Sequence, residues 1–154
     1  MGRFWDKLTG TRYPGGNARR LAPAEVTAAL LALNGPQTPF QVRAAEPGEK
    51  KVDLVVECHS RRAGVRIKVS MRLVPETYEV RVLQERWENR SSENAGKQYS
   101  RGHGHAVYRQ FEYQRDPDGK RRKVEFRFDT RQVIHPLQRV VLGAGWTWRG
   151  VFRR

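Results

Sequence analysis

The sequence predicts an α+β protein, an antiparallel meander sheet of about six strands packed against an N-terminal and a C-terminal helix. Three observations carry that expectation. Apolar residues recur at helical spacing after Pro23 and again after Thr130, and between these segments the period falls to two. Turn chemistry separates the alternating runs, at Glu46-Pro47-Gly48-Glu49, Pro75-Glu76 and Asp116-Pro117-Asp118-Gly119. Finally, 154 residues make one domain, large enough to bury about two thirds of the surface the unfolded chain exposes.

Residues 1–21 read as a basic N-terminal arm, with turn residues from Tyr13 to Asn17 and with Phe4, Trp5 and Leu8 available to dock on the body. Residues 22–154 form the single α+β domain. Its first helix begins at Pro23, runs through Val26, Ala29, Leu30 and Leu33, and stops at Asn34-Gly35. Phe40 to Ala44 makes a short strand, and Val52, Leu54, Val56 and Cys58 share one face of the next. Residues 65–73 alternate most cleanly: Val65, Ile67, Val69, Met71 and Leu73 point inward, while Arg66, Lys68, Ser70 and Arg72 point outward. A tight turn at Pro75-Glu76 returns Tyr78, Val80 and Val82 to the inner face. That register places Leu73 opposite Tyr78, Arg72 opposite Glu79 and Arg66 opposite Glu85, so the outer face is partly self-neutralised.

The stretch 88–105, with its serines and glycines, exceeds an ordinary connection and is expected to be a flexible loop. A second hairpin follows, Val107, Phe111 and Tyr113 against Val124, Phe126 and Phe128. A four-residue loop at 116–119 sets Phe111 opposite Val124 and keeps Glu125 off the inner face. Thr130 is positioned to cap the last helix, where Pro136 marks a kink or the true start, and Trp146 to Phe152 alternates as a final strand.

Charge bounds the function. Thirty Lys and Arg against sixteen Asp and Glu give +14, a self-repulsion with no folding purpose that points to a polyanionic partner. The surplus is uneven: residues 121–154 carry nine basic and two acidic side chains, and residues 1–20 carry five and one. Codon bias in a GC-rich genome accounts for arginine in place of lysine, not for the excess of base over acid. The expected function is a non-enzymatic module that binds a polyanion, foremost nucleic acid phosphates. An acidic protein partner, or a small ligand held in a helix-grip-like cavity, is the alternative.

The residues nominated for phosphate contact are the run Lys120, Arg121, Arg122 and Lys123 on a projecting hairpin, the tail residues Arg149, Arg153 and Arg154, and the arm residues Arg12, Arg19 and Arg20. Tyr108 and Tyr113 stand near the hairpin run and could stack on unpaired bases. Trp146 and Trp148 lie two apart on a strand, which favours burial. His103 and His105 match no metal signature, so neither a metal nor another cofactor is expected. Cys58, on an apolar strand face, reads as structural, and no catalytic residue is nominated. A lone cysteine, no apolar leader at Met1 to Gly10 and no run of about 18 apolar residues leave the cytoplasm as the expected compartment.

The opening Phe4-Trp5-Asp6-Lys7-Leu8-Thr9-Gly10-Thr11-Arg12-Tyr13-Pro14, the segment Leu30 to Asn34 and the closing Gly145-Trp146-Thr147-Trp148-Arg149-Gly150 resemble small uncharacterised actinobacterial proteins. The resemblance implies a cytoplasmic protein from a GC-rich genome and supplies no activity. At the level of topology, the predicted order also resembles cystatin-like and helix-grip sheets, which wrap a helix.

Overall fold

A computed structural model describes residues 2–17, 19–89 and 97–153. The architecture is α+β. Helices α1 (Gly2–Thr9) and α2 (Pro23–Leu31) come first. Strands β1 (Gln41–Ala44), β2 (Leu54–Ser60), β3 (Val65–Val74), β4 (Glu79–Asn89) and β5 (Lys97–Arg101) then pair in order, each antiparallel to the last. A separate hairpin of β6 (Val107–Arg115) and β7 (Arg121–Asp129), helix α3 (Arg131–Gly143) and strand β8 (Thr147–Val151) complete the chain. None of the described helices is long and apolar enough to cross a membrane.

The period-two runs become strands because alternate residues reach the core. Leu54, Val56 and Cys58 of β2, Ile67, Val69 and Met71 of β3, and Val80 and Val82 of β4 all pack there. Val26 and Leu30 of α2 and Val133, Leu137 and Val141 of α3, each set spaced by about one helical turn, cover this face. Helix α2 stops at Leu31, short of the expected end at Asn34-Gly35, and the chain continues in turns. Asn34 instead serves β1, where its side-chain amide donates to the Val42 carbonyl (2.8 Å) and accepts the Val42 N–H (2.7 Å).

The sheet is mixed rather than a pure meander. Strand β8 runs parallel to β4, from Glu79 opposite Thr147 to Leu83 opposite Val151. It arrives by a long crossover through α3, the connection that a parallel neighbour requires. Strand β5 takes the rest of the same edge, from Glu85 opposite Arg101 to Asn89 opposite Lys97. Part of the interval expected to be a flexible loop is therefore strand, and residues 90–96 lie outside those described. At the junction of β5 and β8, the His103 ring closes the seam. Its Nε2 donates to the Val151 carbonyl (2.9 Å), so Nδ1 accepts from the Gln84 amide (3.2 Å).

Both hairpin registers differ from expectation. Between β3 and β4, Pro75–Thr77 is a short 3-10 turn and Tyr78 closes it in the left-handed region at φ 50°, which removes Tyr78 from the ladder. The pairs are Leu73 with Val80, Arg72 with Arg81 and Arg66 with Trp87, a two-residue shift that abolishes the expected Arg72–Glu79 and Arg66–Glu85 pairing. Between β6 and β7 the loop is the three residues 117–119. Asp116 N–H bonds the Lys120 carbonyl (2.8 Å), and Gly119 takes φ 81°, the left-handed position such a loop needs. Phe111 consequently faces Glu125 instead of Val124.

The N-terminal arm is a docked strap. Arg12 and Trp148 exchange backbone hydrogen bonds of 2.8 Å each, Leu21 N–H bonds the Ala144 carbonyl (2.9 Å), and Trp146 Nε1 donates to the Leu21 carbonyl (2.9 Å). Trp146 and Trp148 are buried, as their spacing predicts. Phe4, Trp5 and Leu8, expected to dock, stay exposed on α1. Thr130 does not cap α3 through its hydroxyl, which instead accepts the Ala106 N–H (3.0 Å). Asp129 does the capping: its carboxylate accepts the Arg131 N–H (2.9 Å) and grips the Arg131 guanidinium (2.7 Å). Pro136 sits inside the helix without ending it.

Candidate nucleic-acid interface

The β6–β7 hairpin has two chemically different faces. Tyr108, Val124, Phe126 and Phe128 turn toward the body, with Phe128 buried and its ring 6.2 Å from that of Tyr108. Burial pushes the Tyr108 hydroxyl up to about 12, so this ring belongs to the packing and not to a stacking surface. The other face carries Arg109, Phe111, Tyr113 and Arg115 from β6 and Arg121, Lys123, Glu125 and Arg127 from β7. Phe111 is 54% and Tyr113 61% exposed, unusual for rings that period-two alternation could equally have turned inward.

The twist of the ribbon staggers this face into diagonal pairs. The Arg121 guanidinium lies 4.6 Å from the Tyr113 ring centre, Lys123 Nζ lies 4.1 Å from the Phe111 ring, and Arg109 meets Glu125 at 3.8 Å. Each exposed ring thus has a cation on its face. The remaining acid of the outer row, Asp129, is shared by Arg127 (3.7 Å) and Arg131 (2.7 Å); the Arg131 hydrogen bonds hold its carboxyl at about 2, so it stays ionised. The surplus positive charge gathers at the distal half, on Arg115, Arg121 and Lys123.

Strand alternation divides the nominated run. Arg121 and Lys123 stand on the aromatic face, Arg122 points to the other face across from Gln114, and Lys120 closes the turn. The sequence reading missed Phe111, Arg109, Arg115 and Arg127 as members of the face. The signal for them was Asp118-Gly119, which favours the three-residue loop and with it the outward Phe111.

The other nominated cations lie elsewhere. Arg149 is held by the buried Glu79 carboxylate at 2.5 Å and approaches the Tyr13 ring at 6.0 Å. Burial alone would raise the Glu79 carboxyl, but hydrogen bonds from Arg149 and Arg81 outweigh it and leave the carboxyl below its ordinary value. Arg20 stacks on Tyr78 (4.3 Å), whose edge meets Trp146 (5.7 Å). Arg12 and Arg19 are exposed along the strap, Arg153 borders a cavity beside β8, and Arg154 lies outside the described residues. Burial pushes the Cys58 thiol up to about 11, which leaves it protonated and inert at neutral pH. Comparison of the chain with protein-family models, with curated proteins and with solved structures finds no match.

Proposed function

We propose that the chain binds single-stranded nucleic acid, without strong sequence preference, through the outer face of the β6–β7 hairpin. The observation that carries this reading is the staggered set of exposed rings and cations, Tyr113 with Arg121 and Phe111 with Lys123. Unpaired bases present planar faces that stack on such rings irrespective of sequence, while adjacent phosphates meet the cations and release counterions. A double helix hides its bases and offers only the phosphate half of this interaction. A purely electrostatic surface for an acidic protein would have no use for two half-exposed rings.

Fluorescence anisotropy with a mixed-sequence oligonucleotide across salt concentrations tests the reading. Three phosphate contacts at Arg115, Arg121 and Lys123 predict a slope of about −2 in log affinity against log salt. Replacing both Phe111 and Tyr113 by alanine removes the preference for single over double strands. Binding that is indifferent to salt, or a double variant that still prefers single strands, refutes the proposal.

A further inference from the structure

On the side of the six-stranded sheet away from α2 and α3, the β3–β4 register aligns arginines from three strands. Arg72 pairs with Arg81, and Arg81 pairs with Arg149. Neighbouring strands stand about 4.8 Å apart, so three like charges are held side by side where their repulsion is largest. Glu79 answers two of them, with Oε1 at 3.0 Å from Arg81 Nε and Oε2 at 2.5 Å from Arg149 Nε. Arg81 and Arg149 each reach Glu79 through Nε, Arg149 also stands beside Tyr13, and among the described residues Arg72 forms no ion pair.

This row walls a cavity of about 490 Å³, a volume that fits a small organic ligand. Lys51 and Arg153 add two more cations, and among the described residues no carboxylate side chain lines it. The next row of the sheet, Ser70 with Leu83 and Leu83 with Val151, makes the floor. Ser70 is only 3% exposed, and its hydroxyl has no hydrogen-bond partner among the described residues. A buried hydroxyl beneath a cluster of cations lacks an acceptor, and an oxyanion is the acceptor that such a cluster attracts. At the mouth, Trp5 of α1, 60% exposed, and Phe152 supply aromatic surface that a bare inorganic ion would not use.

We propose that this cavity binds a small phosphomonoester with a planar body, the phosphate on the arginine row over Ser70 and the body against Trp5 and Phe152. A tetrahedral dianion suits forked guanidinium donors better than a single carboxylate does. The inference is independent of the hairpin reading, because none of the hairpin residues lines the cavity.

Calorimetric titration of the full chain with adenosine monophosphate and flavin mononucleotide, against adenosine and inorganic phosphate, tests it. The expected result is binding of at least one phosphomonoester, none of adenosine, and weak competition by phosphate. Arg72→Gln is expected to weaken that binding about tenfold, since one charge-assisted contact is lost. Ser70→Ala is expected to weaken binding while leaving the melting temperature unchanged or raised; a lowered melting temperature with unchanged affinity would mean a structural hydroxyl and overturn its assignment. Phosphatidylcholine vesicles containing phosphatidic acid distinguish the phosphate's source, and binding to vesicles with none to the free phosphomonoesters overturns the proposal. Oligonucleotide binding is expected to survive Arg72→Gln and to fall in the Phe111 and Tyr113 double variant, with nucleotide binding showing the reverse, so either reading can fail alone.

Discussion

Replacing Gly150 with alanine is expected to peel the N-terminal strap from β8. A β-carbon at this position would overlap the Thr9 carbonyl oxygen and stand 2.7 Å from the Thr9 carbonyl carbon and 3.0 Å from His103 Cε1. The obstacle is backbone, so a side-chain rotation cannot relieve it. Lifting the strap breaks the two Arg12–Trp148 backbone bonds and the bond from Gly150 N–H to the Thr11 hydroxyl (3.2 Å). At about 1 kcal/mol for each net hydrogen bond, the loss is about 3 kcal/mol before any exposure of the buried Trp148. For a domain of this size that corresponds to a fall in Tm of about 6–12 °C. Urea and thermal denaturation followed by tryptophan fluorescence give the value, and Gly143→Ala is the control. Gly143 lies in α3 with nothing near its missing β-carbon, so alanine there is expected to stabilise by about 0.5–1 kcal/mol. A Gly150→Ala protein within about 0.5 kcal/mol of the parent, the range of an inconsequential surface change, would refute the close-approach argument.

Burial holds the His103 pKa below its ordinary 6.5, so the folded state binds fewer protons than the unfolded state. Stability from the neutral ring is complete above about pH 6.5 and declines as the pH falls through the lower folded value; His103→Gln is expected to flatten the stability profile between pH 7 and 5 in urea titrations, and a profile unchanged by the substitution would count against the seam. Asp129→Ala removes the cap of α3 and is expected to cost about 1–2 kcal/mol; the same measurement on Thr130→Ala separates capping from the loop contact to Ala106. Phe111→Ala and Tyr113→Ala, at half-exposed positions, are expected to leave stability within about 0.5 kcal/mol while reducing oligonucleotide affinity; a large fall in Tm would mean that the rings pack against something.

Local patterning made the elements legible. The alternation of Val65 to Leu73 and the helical spacing from Val26 to Leu30 depend only on which side chains reach the core, and both elements stand where that pattern puts them. Registers were less legible because they depend on turn conformation. Tyr78 adopts a positive φ that a sequence normally signals with glycine or asparagine, and its ring is rewarded by contact with Trp146, 68 positions along the chain. For the second hairpin the turn signal was present in Asp118-Gly119, but it conflicts with the assumption that Phe111 must be inside. The parallel pairing of β8 leaves no local trace, since its partner β4 is separated from it by strand β5, the β6–β7 hairpin and helix α3. The arginine row was illegible for the same reason: Arg72, Arg81 and Arg149 become neighbours only through the two registers that sequence does not announce.

The shared edge of β4 also sets an order of events during synthesis. Thr11 and Gly150, bonded in the finished fold, are 139 residues apart. Until β8 emerges, the Glu79–Leu83 edge of β4 has no partner and the strap has no strand to close on. An open edge is a template for pairing with another nascent chain. This one carries Glu79 and Arg81, charges that disfavour such pairing while it waits. Contacts this distant in sequence slow folding, so the sheet from β1 to β4 is expected to form first as a partly closed unit. The strap and the last strand then lock together in a single late step, and a chain stalled before Thr147 would expose the arginines and the open edge at once.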